Sequence, residues 1–182
     1  MKRAMLLVIA AVVCSPGVLV GGDKGTVVDL DGLKSTTPTN WKEEKPDPKS
    51  LVKRMAQFRL PHADGDPADA ELALFQFEKA SGGVDANLDR WKKKFTTAEG
   101  KPVDNAKVDK FKVGNAPVTY LDISGTYKLQ TGPDKYDRKP DYRMLGVIFE
   151  GPDHTYYLTV IGPAKTIEQH KKGFDEWIKG FK

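Results

Sequence analysis

Apolar positions along this chain recur mostly at a period of two. In 55–60, Ala56, Phe58 and Leu60 alternate with Met55, Gln57 and Arg59, which predicts a half-buried strand. Residues 71–78 alternate again, with Ala73, Phe75 and Phe77 on one face. The stretch between, 61–69, is rich in Gly, Pro and Asp and reads as a turn. Two strands joined by a short loop predict an antiparallel hairpin. Further strands are expected at 108–113, 117–123, 125–129, 143–149 and 155–161, with Gly151-Pro152-Asp153 as a tight turn between the last two. Residues 131–141 carry Gly132, Pro133, Pro140 and several charges, and are expected to be an irregular loop.

The period changes twice. Val84, Leu88, Trp91 and Phe95 fall at helical spacing, with Asp85 in the first turn and Lys92, Lys93 and Lys94 in the last, as the helix dipole favours. Ile167, Phe174, Trp177, Ile178 and Phe181 mark a closing helix over 164–181. Thr166 followed by Gln169 has capping-box spacing. Mostly antiparallel strands, interrupted by one helix and closed by another, predict an α+β layer architecture: a twisted sheet packed by helices.

One segment resembles a known family. Gly32-Leu33-Lys34-Ser35-Thr36-Thr37-Pro38-Thr39-Asn40-Trp41-Lys42 is similar to the opening strand of PsbP-like domains, and the element order that follows is similar too. The resemblance implies a PsbP-like α+β fold and a binding or assembly module outside the cytoplasm rather than an enzyme. Val84-Asp85-Ala86-Asn87-Leu88-Asp89-Arg90-Trp91 and Gly162-Pro163-Ala164-Lys165-Thr166 also resemble segments of secreted proteins of planctomycete-type bacteria, a likeness that implies no activity.

The N-terminus changes the setting. Lys2 and Arg3 precede an unbroken apolar run from Ala4 to Val13, and Val20-Gly21-Gly22 offers a small-residue cleavage site before Asp23. This order predicts a signal peptide over 1–22 and a single domain over 23–182. The apolar run is short for a membrane span, which needs roughly 20 residues. Cys14 is a candidate for lipidation, although Val12-Val13 rather than small residues precede it. The expected location is secreted or periplasmic, with a membrane-anchored lipoprotein as the alternative; membrane contact is expected only through a lipidated Cys14 or an uncleaved signal. Cys14 is the sole cysteine, so the predicted domain has no disulfide and no thiol chemistry.

Charge excludes one class of partner. Without Lys2 and Arg3 the 29 basic residues become 27 against 25 acidic ones, far from the basic excess of a nucleic-acid binder. Asp64, Asp66, Asp69 and Glu71 share one turn but lack EF-hand spacing, since Ala68 and Pro67 occupy its middle. The Gly162–Thr166 segment lacks the spacing of a phosphate loop, though a helix N-terminus there is open to simple anion contact. His62, His154 and His170 stand in distant segments without zinc spacing and are expected in turns or at the surface. Among Ser35, Ser50, Ser81 and Ser124, Ser124 lacks the leading glycine of a nucleophile elbow. No metal, catalytic or cofactor site is predicted. Trp91 and Trp177 lie on helical core stripes, and Trp41 has no evident role.

Seven lysines, at 92, 93, 94, 101, 107, 110 and 112, lie within 21 residues, diluted by Glu99, Asp104 and Asp109. They read as a solvated helix end and edge strand, with a contact surface for an acidic partner or lipid headgroups as the alternative. The 131–141 segment, which contains Tyr136 and is followed by Tyr142, is the other candidate, because long loops often carry recognition. The expected recognition residues are Tyr136, Arg138, Lys139, Tyr142, Lys92, Lys93 and Lys94. The function expected is an exported, non-catalytic binding or assembly module for an unknown protein or envelope component. The alternatives are a small exported hydrolase and a lipid-anchored envelope protein.

Overall fold

A computed structural model describes residues 24–48, 50, 52–79 and 83–182. The predicted leader, Cys14 and Ser81 lie outside them. The order is β1 (Val27–Leu30), β2 (Leu33–Thr36), β3 (Lys42–Glu44), β4 (Ala56–Leu60), β5 (Ala70–Glu78), α1 (Val84–Lys92), β6 (Phe95–Thr96), β7 (Lys107–Val113), β8 (Ala116–Gly132), β9 (Lys135–Glu150), β10 (His154–Pro163) and α2 (Ala164–Lys179). β1 and β2 form their own two-stranded sheet. The others make one antiparallel sheet ordered β3-β4-β5-β10-β9-β8, with both β6 and β7 on the outer side of β8. This is the α+β architecture expected from the alternating pattern.

β9 shows why the sheet has three layers. Its residues 144–149 are all buried, so both faces are covered. Leu145, Val147 and Phe149 face the core under α2, with Phe174, Trp177 and Ile178; Met144 and Ile148 face a second core with Leu88 and Trp91 of α1. Gly146 sits between them because Trp91 lies flat on it: a Cβ there would come within 2.8 Å of the indole ring. β5 is covered on both sides as well. Leu72 and Leu74 fill the α2 side, while the Ala73 and Phe75 face belongs to the smaller core and Phe77 is exposed.

Four sequence expectations are corrected. Phe95 fills the second core as predicted, but from β6, because α1 ends at Lys92. Residues 131–141 are strand, not loop. Two β9 residues, Pro140 and Asp141, oppose Thr126 in a bulge, so the proline falls where no ladder bond is needed and Asp141 absorbs the extra residue at φ 55°. Thr166 is not a capping-box residue. α2 begins at Ala164, and Asp66 from the β4–β5 loop caps it instead, accepting from Thr166 N at 2.7 Å and Thr166 Oγ1 at 2.6 Å. His170 is buried, not at the surface: its Nε2 donates to Pro61 O at 2.8 Å and its Nδ1 accepts from Trp41 Nε1 at 3.3 Å.

Trp41 thereby gains its role. Its ring is buried among Phe58, Phe174 and Trp177, the last in an edge-on contact with centroids 5.5 Å apart. The β1–β2 hairpin turns at Asp31-Gly32 with φ 53° and 88°, the geometry that favours this dipeptide. Lys34 and Lys182 exchange two backbone bonds, which fastens β2 to the C-terminus.

Candidate functional site

Beyond two pairs with β6, β8 and β9 continue with only each other as partners. They form an arm that closes on Pro133-Asp134, with Asp134 at φ 56°. Lys128 opposes Arg138 and Gln130 opposes Tyr136, while Tyr127 opposes Lys139 and Leu129 opposes Asp137. The predicted recognition residues therefore sit on paired strands, and their roles separate. Tyr136 is 54% exposed near the tip. Arg138 Nη2 donates to Ala98 O at 2.9 Å, bracing the arm against the loop after β6. Lys139 pairs loosely with Asp137 at 3.7 Å. Tyr142 is half-buried and stacks on Tyr127, with centroids 6.1 Å apart and planes 5° apart, so it packs the base of the arm.

The lysine run lies against that base. Lys92 ends α1, Lys93 caps it, and the Lys94 carbonyl accepts from Lys128 N–H at 2.8 Å. The run and the 131–141 segment, separate candidates in the sequence, meet through β8: Lys128 bonds the Lys94 carbonyl and pairs with Arg138. Burial, with help from the nearby Arg90 charge, holds the Lys94 pKa below the usual lysine value. Lys92, Lys93, Lys128 and Lys135 have no carboxylate partner among the described residues. Of the other lysines of the run, Lys101 lies in the loop after β6, and Lys107, Lys110 and Lys112 belong to β7.

A second feature was not foreseen. A groove of about 420 Å³ runs between β7 and α2, lined by Asp109, Phe111, Tyr120, Lys171, Asp175 and Ile178 among others. Tyr120 Oη donates to Asp175 Oδ1 at 2.7 Å, and Lys171 Nζ reaches Asp175 Oδ2 at 2.6 Å. Burial and the Asp175 bond push the Tyr120 phenol far above its usual pKa, so it remains a neutral donor.

Three of the four acidic residues of the turn are spent within the fold. Asp66 caps α2, Asp69 holds His62 at 2.7 Å, and Glu71 pairs with Arg54 at 2.9 Å. The anion contact left open at the α2 N-terminus is made by the chain's own Asp66. No cluster of three or more candidate metal ligands occurs among the described residues. Ser124 lies near Asn105, Lys107, Asp122 and Arg143 in a shallow site of about 220 Å³. The three histidine rings are engaged elsewhere, by Asp69, by Asp31, and by Trp41 with Pro61.

Asp31 ties the N-terminal hairpin to the β9–β10 turn. It accepts from Asp153 N, His154 N, His154 Nδ1 and Tyr156 Oη at 2.7–3.0 Å. Burial alone would raise its pKa, but these bonds outweigh burial and hold the carboxyl well below the usual range. The Asp31 bond raises the His154 pKa. Asp31 therefore contributes stability above its ordinary pKa of 3.8, lost as pH falls through the lower folded value. Protonated His154 contributes below its ordinary 6.5, lost as pH rises through the higher folded value. Thermal melting of wild type and Asp31→Asn across pH should show the largest gap between about 4 and 6.5, narrowing on both sides.

These features define a PsbP-like α+β fold: one antiparallel sheet with a central and a C-terminal helix on opposite faces. The solution structure of cyanobacterial PsbP (CyanoP) from Synechocystis sp. PCC 6803 is similar at TM-score 0.52 and 15% identity, covering 90% of this chain and 94% of that one. PA94 from Pseudomonas aeruginosa, described as a putative regulator of unknown function, gives TM-score 0.47 and 12% identity over 85% of this chain and 94% of its own. No family model and no curated protein sequence matches the chain. No helix among the described residues is long and apolar enough to cross a membrane.

Proposed function

We propose that this is an exported binding module that engages an acidic partner in the cell envelope through the β8–β9 arm and the lysines at its base. The leader pattern of residues 1–22 supports export. The observation that carries the binding surface is the Lys94–Lys128 backbone bond, which brings two sequence-distant basic segments together. Unpaired ammonium groups attract an acidic surface at long range, and the exposed Tyr136 ring adds contact area on docking. The engaged histidines and internally paired carboxylates favour binding over hydrolysis.

The test is capture from the organism's own envelope extract on immobilised full-length protein. Wild type should retain an acidic protein at low salt and release it as ionic strength rises. The combined variant Lys92→Glu/Lys93→Glu/Lys128→Glu/Lys135→Glu should lose it while remaining folded, with a melting temperature only slightly lowered by the charge reversal at the C-terminal end of α1. Equal retention by this variant contradicts the proposal.

A further inference from the structure

The outer edge of β7 is unpaired among the described strands. β7 runs for seven residues and pairs with β8 along its whole length on one side. On the other side no described strand pairs with it, so a row of backbone N–H and C=O groups faces outward. The opposite edge of the sheet is only the three-residue β3. A long open edge is a template for another strand. Lysines commonly protect such edges, and Lys107, Lys110 and Lys112 would repel a second copy of β7. The same charges attract a strand of opposite sign, so they select rather than simply block.

The groove adds side-chain recognition. Asp109 and Phe111 lie opposite Tyr120 and Val118, on the face turned toward α2, and Phe111 is half-buried against the core. A strand added beside β7 would turn alternate side chains into the groove between β7 and α2. Lys171 and Lys179 stand on the helix side of that groove; Asp175 is already engaged by Tyr120 and Lys171.

We infer that the β7 edge binds an extended, acidic segment of a partner protein by antiparallel strand addition, seating an apolar side chain beside Phe111. Main-chain hydrogen bonds supply affinity, and the groove with its lysines supplies specificity. The segment carries acidic residues opposite Lys110 and Lys112 and an apolar one opposite Phe111. Opposite Asp109 it carries an uncharged one. In the antiparallel sense this reads Glu-Leu-Glu-Thr-Val-Glu. The site is separate from the arm and does not depend on it.

The test titrates isotope-labelled full-length protein with that hexapeptide, capped at both ends. Amide signals of Lys107–Val113 should shift and their hydrogen exchange should slow on saturation. Lys110→Glu/Lys112→Glu, both at exposed positions, should weaken binding about tenfold or more. Two peptides N-methylated on alternate residues should differ: one blocks the ladder with β7 and fails to bind, and the other binds. The inference is overturned if both methylated peptides bind equally, which would mean charge adhesion without strand pairing. It is also overturned if the shifts fall on the arm instead of β7, or if the peptide produces none. The arm variant described above should leave this titration unchanged, so failure here and failure of the arm reading are distinguishable.

Discussion

Trp41→Ala should lower the unfolding free energy by about 3–5 kcal/mol, the largest effect expected from a single side chain here. The indole touches four rings, of Phe58, His170, Phe174 and Trp177, and so joins β4 to two turns of α2. It also supplies the donor to His170 Nδ1. Truncation leaves a cavity between sheet and helix and an unsatisfied buried ring nitrogen. For a domain of this size the melting temperature should fall by roughly 10 °C or more. Two conservative variants separate the causes. Trp41→Phe keeps a ring but loses the hydrogen bond. Trp177→Phe removes an indole N–H that is buried without a partner among the described residues. Trp177→Phe should therefore be the milder of the two, and the reverse order in thermal melts would contradict this account of the core.

Gly146→Val should cost about 1–3 kcal/mol by overpacking and should also impair partner binding. The close atoms at position 146 belong to the flat ring of Trp91, itself 5% exposed, so the ring cannot simply swing away. The relief available is for α1 to lift from the sheet. Lys92 and Lys93 sit at the C-terminal end of α1, and Lys94 is hydrogen-bonded to the arm. The displacement therefore reaches the proposed contact surface. Gly146→Ala should show a smaller version of both effects. Melting and envelope capture on the same variants check the coupling; lost stability with undiminished capture would separate α1 from the binding surface.

Much of the fold was legible because its strands obey period two. Phe58 and Leu60 face the core as the alternation predicted, and the closing helix buries Ile167, Phe174, Trp177 and Ile178. Three features were hidden for physical reasons. Pro140 reads locally as a strand breaker, and only the pairing with β8 shows that it occupies a bulge. Phe95 keeps helical spacing after the helix has ended, because β6 returns it to the same core. His170 looks polar in isolation, but its partners are Trp41 and Pro61, more than a hundred positions away. The candidate surface was half legible. Composition exposed the lysine run and the charged 131–141 segment, yet they meet through Lys128 of β8, which bonds the Lys94 carbonyl and pairs with Arg138, a juxtaposition that only strand pairing creates. The β7 edge was legible as a lysine-rich edge strand, while its partner β8 and the groove beside α2 follow only from the order of its neighbours.

The central claim is that the arm is where a partner docks. Site-specific photo-crosslinking in the native envelope tests it most directly, with a photoreactive residue in place of exposed Tyr136 and, as a control, of exposed Val27 on the separate β1–β2 sheet. The account predicts a discrete adduct from position 136, none from position 27, and loss of the adduct when Lys92, Lys93, Lys128 and Lys135 are changed to Glu. No adduct from position 136, or the same adduct from both positions, would contradict it.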